Sequence, residues 1–168
     1  MASENTYGLE DSVGYRLTEL SGDLKAEMRR RVSKYDVTTQ QCPVLMVLYR
    51  EGSLNVTELA ERIGVDFGGT SRLVDRLQAK GLLSSRPDGT DRRARRIELS
   101  RKGRDVARKA LTASKATNDV FFKRISQKEA RQFRATLEKL LEAGGRGRDR
   151  SRAAASATAT KPRWDEQG

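Results

Sequence analysis

The sequence predicts a mainly α fold carrying one small β-hairpin, and three observations lead there. Apolar residues recur at steps of three and four along most of the chain before residue 144. Between Asn55 and Gly81 two such stretches are separated by Gly64 and a few residues. Directly after them, Leu82 to Leu99 reads as two strands around Pro87-Asp88-Gly89-Thr90. Two short helices joined by a glycine-containing turn form a helix-turn-helix, and the hairpin after it forms a wing. The predicted architecture is therefore a winged helix-turn-helix with N- and C-terminal helices packed into a helical body.

Each element has its own signal. Leu9, Val13, Leu17, Leu20, Leu24, Met28, Val32 and Tyr35 make one apolar stripe, which predicts a single long helix over Leu9–Tyr35. Nothing local covers that stripe, so it must pack on later helices or on a second chain. Thr38 and Gln41 have capping-box spacing and open the next helix, with Val44, Leu45 and Leu48 inward. Pro43 lies in the first turn, where a missing N–H is tolerated. Asn55 and Glu58 form a second capping box, Leu59, Ala60 and Ile63 share a face, and Gly64 ends that helix in a left-handed conformation. Asp66 caps the next one, which buries Leu73, Val74 and Leu77 and stops at Lys80-Gly81. Leu82–Arg86 and Arg95–Leu99 are the strands. Ser100 caps a helix whose set Val106, Ala110, Ala113, Thr117, Val120 and Phe121 has the rhythm of helix pairing. Ser126 and Glu129 open the last helix, with Phe133, Leu137, Leu140 and Leu141 inward.

Composition bounds the chemistry. The 168 residues suit one domain of ordinary size, and the net charge of +11 favours a polyanionic partner. There is no histidine, which removes Ser-His and Cys-His catalysis and the usual zinc sites. No glycine-rich phosphate loop appears, and carboxylates, lysines and tyrosines do not cluster suggestively, so the sequence points away from an enzyme and implies no cofactor. A single cysteine, the lack of a signal peptide at MASENTYGLEDS and the lack of a membrane-length apolar run together fit a cytoplasmic location with no membrane partner.

VTELAERIGVDFGGTSRLVDRLQAKGLL followed by RPDGTDRRARRIELSRKGR resembles the MarR family of bacterial winged-helix repressors, and TTQQCPVLMVLYREGSL is similar to the helix that precedes the motif in that family. The match runs from about Val37 to Arg104. It implies a homodimer whose two heads meet successive major grooves of double-stranded DNA, about 34–36 Å apart, on a pseudo-palindromic site near the nucleoid. It also implies release of DNA by a small effector, an aromatic or phenolic acid or its coenzyme A thioester. The candidate DNA contacts are Asn55, Thr57, Gly68, Thr70, Ser71, Arg72, Arg76, Asp91, Arg92, Arg93 and Arg95. Arg72 matches an arginine usual in the family. Asp91 and Arg93 match the acid-x-Arg pattern of the wing, where the acid orients an arginine for the minor groove. Arg92 and Arg95 are read as phosphate contacts, which position without specifying.

The recognition helix departs from the family in its first turn, where Phe67, Gly68 and Gly69 stand in place of Arg, Ser and Thr. Consecutive glycines cost about 1 kcal/mol each in helix propensity. Close approach of backbone to DNA and a looser, ligand-sensitive helix start are both adequate reasons. Cys42 replaces a large aromatic usual in the family, and three readings stand for it: pocket lining, an inert buried thiol, or a redox sensor. Arg16, Leu20, Cys42, Met46 and Tyr49 are the candidate ligand residues, with Arg16 as the cation for an anionic effector.

The resulting organisation is residues 1–36 as a dimerisation helix, 37–100 as the winged DNA-binding region, 101–143 as further dimerisation helices, and 144–168 as a basic tail. The tail is rich in Ala, Ser, Thr and Arg, carries six basic residues against three acidic ones, and is expected to be disordered or to bind DNA non-specifically. A thiol-switch repressor, a ligand-independent architectural DNA binder and a protein-interaction module that uses the winged fold without DNA are the rival functions.

Overall fold

The computed structural model describes residues 8–87 and 95–143. Six helices and one two-stranded ribbon follow one another among these residues: α1 (Val13–Val32), α2 (Cys42–Glu51), α3 (Val56–Ile63), α4 (Phe67–Ala79), β1 (Leu83–Pro87), β2 (Arg95–Leu99), α5 (Arg101–Phe122) and α6 (Gln127–Ala143). The winged helix-turn-helix is present, and α1, α5 and α6 frame it.

Capping chemistry sets most boundaries. The Asn55 carboxamide oxygen accepts from the Glu58 N–H at 2.9 Å while the Glu58 carboxylate accepts from the Asn55 N–H at 2.8 Å. Gly64 then ends α3 at φ 69°. Asp66 accepts from the Gly69 N–H at 2.8 Å to start α4, and that N–H, with the neighbouring Arg72 charge, holds the carboxyl below its usual value of 3.8. Thr38 and Gln41 bond reciprocally ahead of α2, and Ser126 and Glu129 do so ahead of α6.

Two expected boundaries move. The predicted Leu9–Tyr35 helix is broken at both ends: a 3-10 turn spans Leu9–Asp11, Ser12 caps α1 by accepting from the Tyr15 N–H at 3.3 Å, and a second 3-10 turn covers Ser33–Tyr35 before Asp36 reverses the chain at φ 55°. The apolar stripe registers the face and not the caps. Pro87, expected in the turn, ends β1 instead and pairs with Arg95, a position an edge strand can give to proline.

One core lies beneath α2. Val44, Leu45 and Leu48 are fully buried there with Leu59, Leu77, Leu82 and Val32. The ribbon is antiparallel, in register from Leu83↔Leu99 to Pro87↔Arg95, and Leu54 bonds Ile97 in both directions at 3.1 and 2.7 Å, which ties the ribbon to the segment before α3. Gly103 lets α5 start against the ribbon: a Cβ there would stand 1.8 Å from the Leu82 carbonyl oxygen. Ser100 completes the junction, accepting from Gly103 N–H at 2.9 Å and donating to the Gly81 carbonyl at 2.7 Å.

The outer helices behave differently. Val106, Ala110, Ala113 and Thr117 are buried, but Val120 is exposed and Phe121 only half-buried. Helix α6 has no buried residue; Phe133 and Leu137 are half-buried, and Leu140 and Leu141 are 56% and 44% exposed. The expectation that these last two face inward therefore fails within one chain.

Candidate nucleic-acid interface

Helix α4 buries Leu73, Val74 and Leu77 and so turns its opposite side outward, where Arg72, Asp75 and Arg76 are exposed. Arg72 and Arg76 also rim a hollow of about 330 Å³ shared with Gln40, Pro43, Ile63 and Val65. A guanidinium held on a packed helix can grip guanine through two parallel hydrogen bonds, or a phosphate through one.

Thr70 does not belong to this surface. Its side chain is fully buried and its hydroxyl reaches the Val65 carbonyl at 3.4 Å, so it holds the turn between α3 and α4 and cannot reach a base. Ser71 and Gly68 are half-buried beside Arg72. The two glycines differ in their surroundings. A Cβ on Gly69 would stand 2.8 Å from Val65 Cγ1, whereas one on Gly68 would find ordinary contacts. The close neighbour of Gly69 is a methyl of the exposed Val65 side chain, so a side chain there would require that valine to turn outward. On α3, Thr57 is exposed, while the Asn55 side chain is committed to its cap.

The ribbon presents Arg86 and Arg95 to solvent. Arg95 donates to Ser85 Oγ at 2.8 Å and to the Ser85 carbonyl at 3.3 Å, and Arg86 lies 3.4 Å from Glu98. These cross-strand bonds hold two cations flat along the wing. Arg96, directly opposite Arg86 across the ribbon, reaches Glu58 at 3.1 Å and Ser53 and buttresses the wing against α3. Asp91, Arg92 and Arg93 lie outside the described residues, as does the 144–168 tail.

The five candidate ligand residues do not converge. Arg16 is exposed and bonded to Glu19 at 3.0 Å and to the Glu10 carbonyl at 3.3 Å. Leu20 lines a cleft of about 520 Å³ with Leu17, Leu24, Phe122, Phe133 and Leu137. Met46 is packed against the core. Tyr49 lines a separate open pocket of about 220 Å³ with Arg101, Arg104, Asp105 and Arg108, where α2 meets α5. Cys42 is only 2% exposed, and its thiol contacts the Thr38 carbonyl at 3.3 Å. Burial pushes that thiol up from 9.0 to about 11, the opposite of what a thiolate-based sensor requires. Of the readings open on sequence, the packed, inert thiol fits this placement.

Several positioning residues carried little sequence signal. Gly103, the Ser100–Gly81 bond and the Lys80–Asp36 pair at 3.2 Å fix the ribbon and α4 against α5 and α1. Only the cap at Ser100 and the glycine three residues on announce the junction. Among the described residues no three potential metal ligands cluster, and no helix is long and apolar enough to cross a membrane.

Comparison with known proteins agrees with this geometry. Residues 35–94 match the model of the MarR family. The chain is 31% identical over 114 residues to an uncharacterized HTH-type transcriptional regulator of Bacillus cereus, covering 68% of this chain and 74% of that protein. It is 29% identical over 135 residues to the HTH-type transcriptional repressor MdtR of Bacillus subtilis, covering 80% and 87%. Among solved structures, the PcaV transcriptional regulator from Streptomyces coelicolor, in complex with its natural ligand, aligns with a TM-score of 0.76 at 26% identity over 86% of this chain and 99% of that one.

Proposed function

This chain belongs to the MarR family of DNA-binding transcriptional regulators, and from that premise we propose that it is a homodimeric repressor released from a pseudo-palindromic operator by a small anionic effector. The observation that carries the reading is the division of the surface. The head turns exposed arginines, Arg72, Arg76, Arg86 and Arg95, toward solvent, while the body leaves apolar side chains there: Leu9 and Val13 at 67%, with Val120, Leu140 and Leu141. A second copy set against α1, α5 and α6 buries that apolar face and fixes the distance between two heads, which a dyad operator then reads.

The effector site we assign is the Tyr49 pocket. It joins α2 of the head to α5 of the body, so an occupant bears on the angle between them. Arg101, Arg104 and Arg108 offer guanidinium groups to a carboxylate and Tyr49 offers a ring to an aromatic acid or its thioester. Arg108 is already paired with Asp105 at 2.6 Å, which leaves Arg101 and Arg104 as the first partners for an anion.

The test combines three measurements on the full chain: mass by light scattering at micromolar concentration, a footprint on the gene's own upstream DNA, and a thermal-shift screen of aromatic acids and their coenzyme A thioesters. The expected results are a dimer, a protected dyad, and a ligand that both raises the melting temperature and dissociates the DNA. A monomer, or a footprint without dyad symmetry, overturns the reading.

A further inference from the structure

The first turn of α4 carries one protruding side chain. Phe67 is 60% exposed, and Val65, on the other side of the capping Asp66, is also exposed. Gly68 and Gly69 add nothing beyond the backbone, and Gly69 is constrained by its contact with Val65. Asp66 is occupied by the Gly69 N–H at 2.8 Å. Helical side chains lean toward the N-terminus, so the phenyl ring extends past the end of α4 that reaches base edges in a helix-turn-helix complex. A phenyl group neither donates nor accepts a hydrogen bond. The one apolar group that a base pair shows in the major groove is the thymine 5-methyl.

We propose that Phe67 is a specificity-determining residue that packs on a thymine methyl in each half-site, while Arg72 and Arg76 on the outer side of α4 supply the polar contacts. This rests on the DNA-binding reading of the same helix. It goes further in naming an apolar determinant where a hydrogen-bonding one would be sought. Because the two consecutive glycines place no side chain beside it, the ring can approach the groove floor without competition from its own turn.

The experiment uses a duplex selected by the full-length protein from a random-sequence pool, then synthesised with thymine or with deoxyuridine, which lacks the methyl group. Removal of one buried methyl is worth about fourfold in affinity, so wild type is expected to bind the thymine duplex about fifteenfold more tightly when both half-sites contribute. Phe67→Ala should bind both duplexes alike, near the wild-type affinity for the uracil form, and Phe67→Leu should keep part of the preference. Equal binding of the two duplexes by wild type, or a thymine preference that survives in Phe67→Ala, overturns the inference while leaving DNA binding intact. So does a loss in Phe67→Ala that is equal on both duplexes relative to wild type, because it assigns the ring a purely structural role. Failure to select any duplex would remove the DNA-binding reading itself.

Discussion

In the head, α2, α3, α4 and the ribbon bury most of their apolar residues on one another, with Phe67 and Tyr49 as exceptions; in the body, α1, the far end of α5 and all of α6 leave more of theirs exposed. Leu45, Leu48, Leu59 and Leu77 have almost no contact with solvent, whereas Leu140 and Leu141, of the same residue type and equally regular spacing, keep about half of theirs. Both regions follow helical periodicity, so periodicity alone does not say which stripe is satisfied within one chain. The head is a closed unit whose exposed face is cationic. The body's exposed face is apolar, the face that the proposed dimer would cover.

The largest expected effect comes from Gly103, at the junction between the two. A Cβ 1.8 Å from the Leu82 carbonyl oxygen requires backbone movement in the ribbon or in α5, and Gly103→Ala should cost about 3 kcal/mol, at the upper end for overpacking. Urea denaturation reads this directly, and an unchanged midpoint would mean that head and body are not rigidly joined there. Next comes the body itself. Leu140→Glu combined with Leu141→Glu should leave the far-UV circular dichroism of the chain essentially intact, yield monomers in light scattering, and weaken operator binding by about 10²-fold through loss of bivalency. A double variant that remains dimeric with full affinity breaks the contrast between the two regions.

A smaller loss is expected from the cationic face of the head. Arg72→Ala should cost about tenfold in operator affinity, within the range for one base-reading arginine, without changing dimer mass or melting temperature. Arg95→Ala, by contrast, should lower affinity evenly across sequences and reduce the slope of binding against salt by about 1. A ligand-independent architectural binder would show that even loss at both positions, so the pair of variants separates it from a sequence-reading repressor.

The smallest effect concerns the one thiol. The folded protein holds the Cys42 proton up to about 11 against 9.0 for the free group. The sign follows from linkage: below the unfolded value both states are protonated, and between the two values the unfolded state releases a proton that the folded state retains. Stability is thus undiminished at neutral pH and falls as pH rises from about 9 to about 11. Cys42→Ala should lessen that alkaline decline, and native Cys42 should react with a disulfide reagent at neutral pH only as fast as the chain opens. Rapid modification accompanied by loss of DNA would restore the thiol-switch reading.

Much of the head was legible because its signals are local. Asn55 with Glu58, Gly64, Asp66 and the Lys80-Gly81 stop each act within four residues of chain, and all four act in the structure as their spacing implies. The candidate site was legible in part. Arg72 and Arg76 are exposed where the pattern put them, because a helix face follows from periodicity, and Arg95 is exposed because it stands at the end of its strand. Thr70 was misassigned because its burial depends on the path of the α3–α4 turn, and periodicity carries no record of Val65 lying across it. The ligand residues scattered for a similar reason: Leu20 and Tyr49 belong to stripes that face different neighbours, and a stripe does not state its partner.

The sequence by itself determined the order of the elements and the cationic character of the head, since these rest on spacing, caps and charge that act along the chain, and its motifs resemble one family closely enough to name it. Only the tertiary structure decided that Gly103 is demanded by a backbone contact inside the molecule, that Cys42 is sealed in the core, and that the face of α6 is left open. Each of those depends on which surfaces meet across residues far apart in sequence, and close packing, unlike periodicity, is a property of pairs of elements.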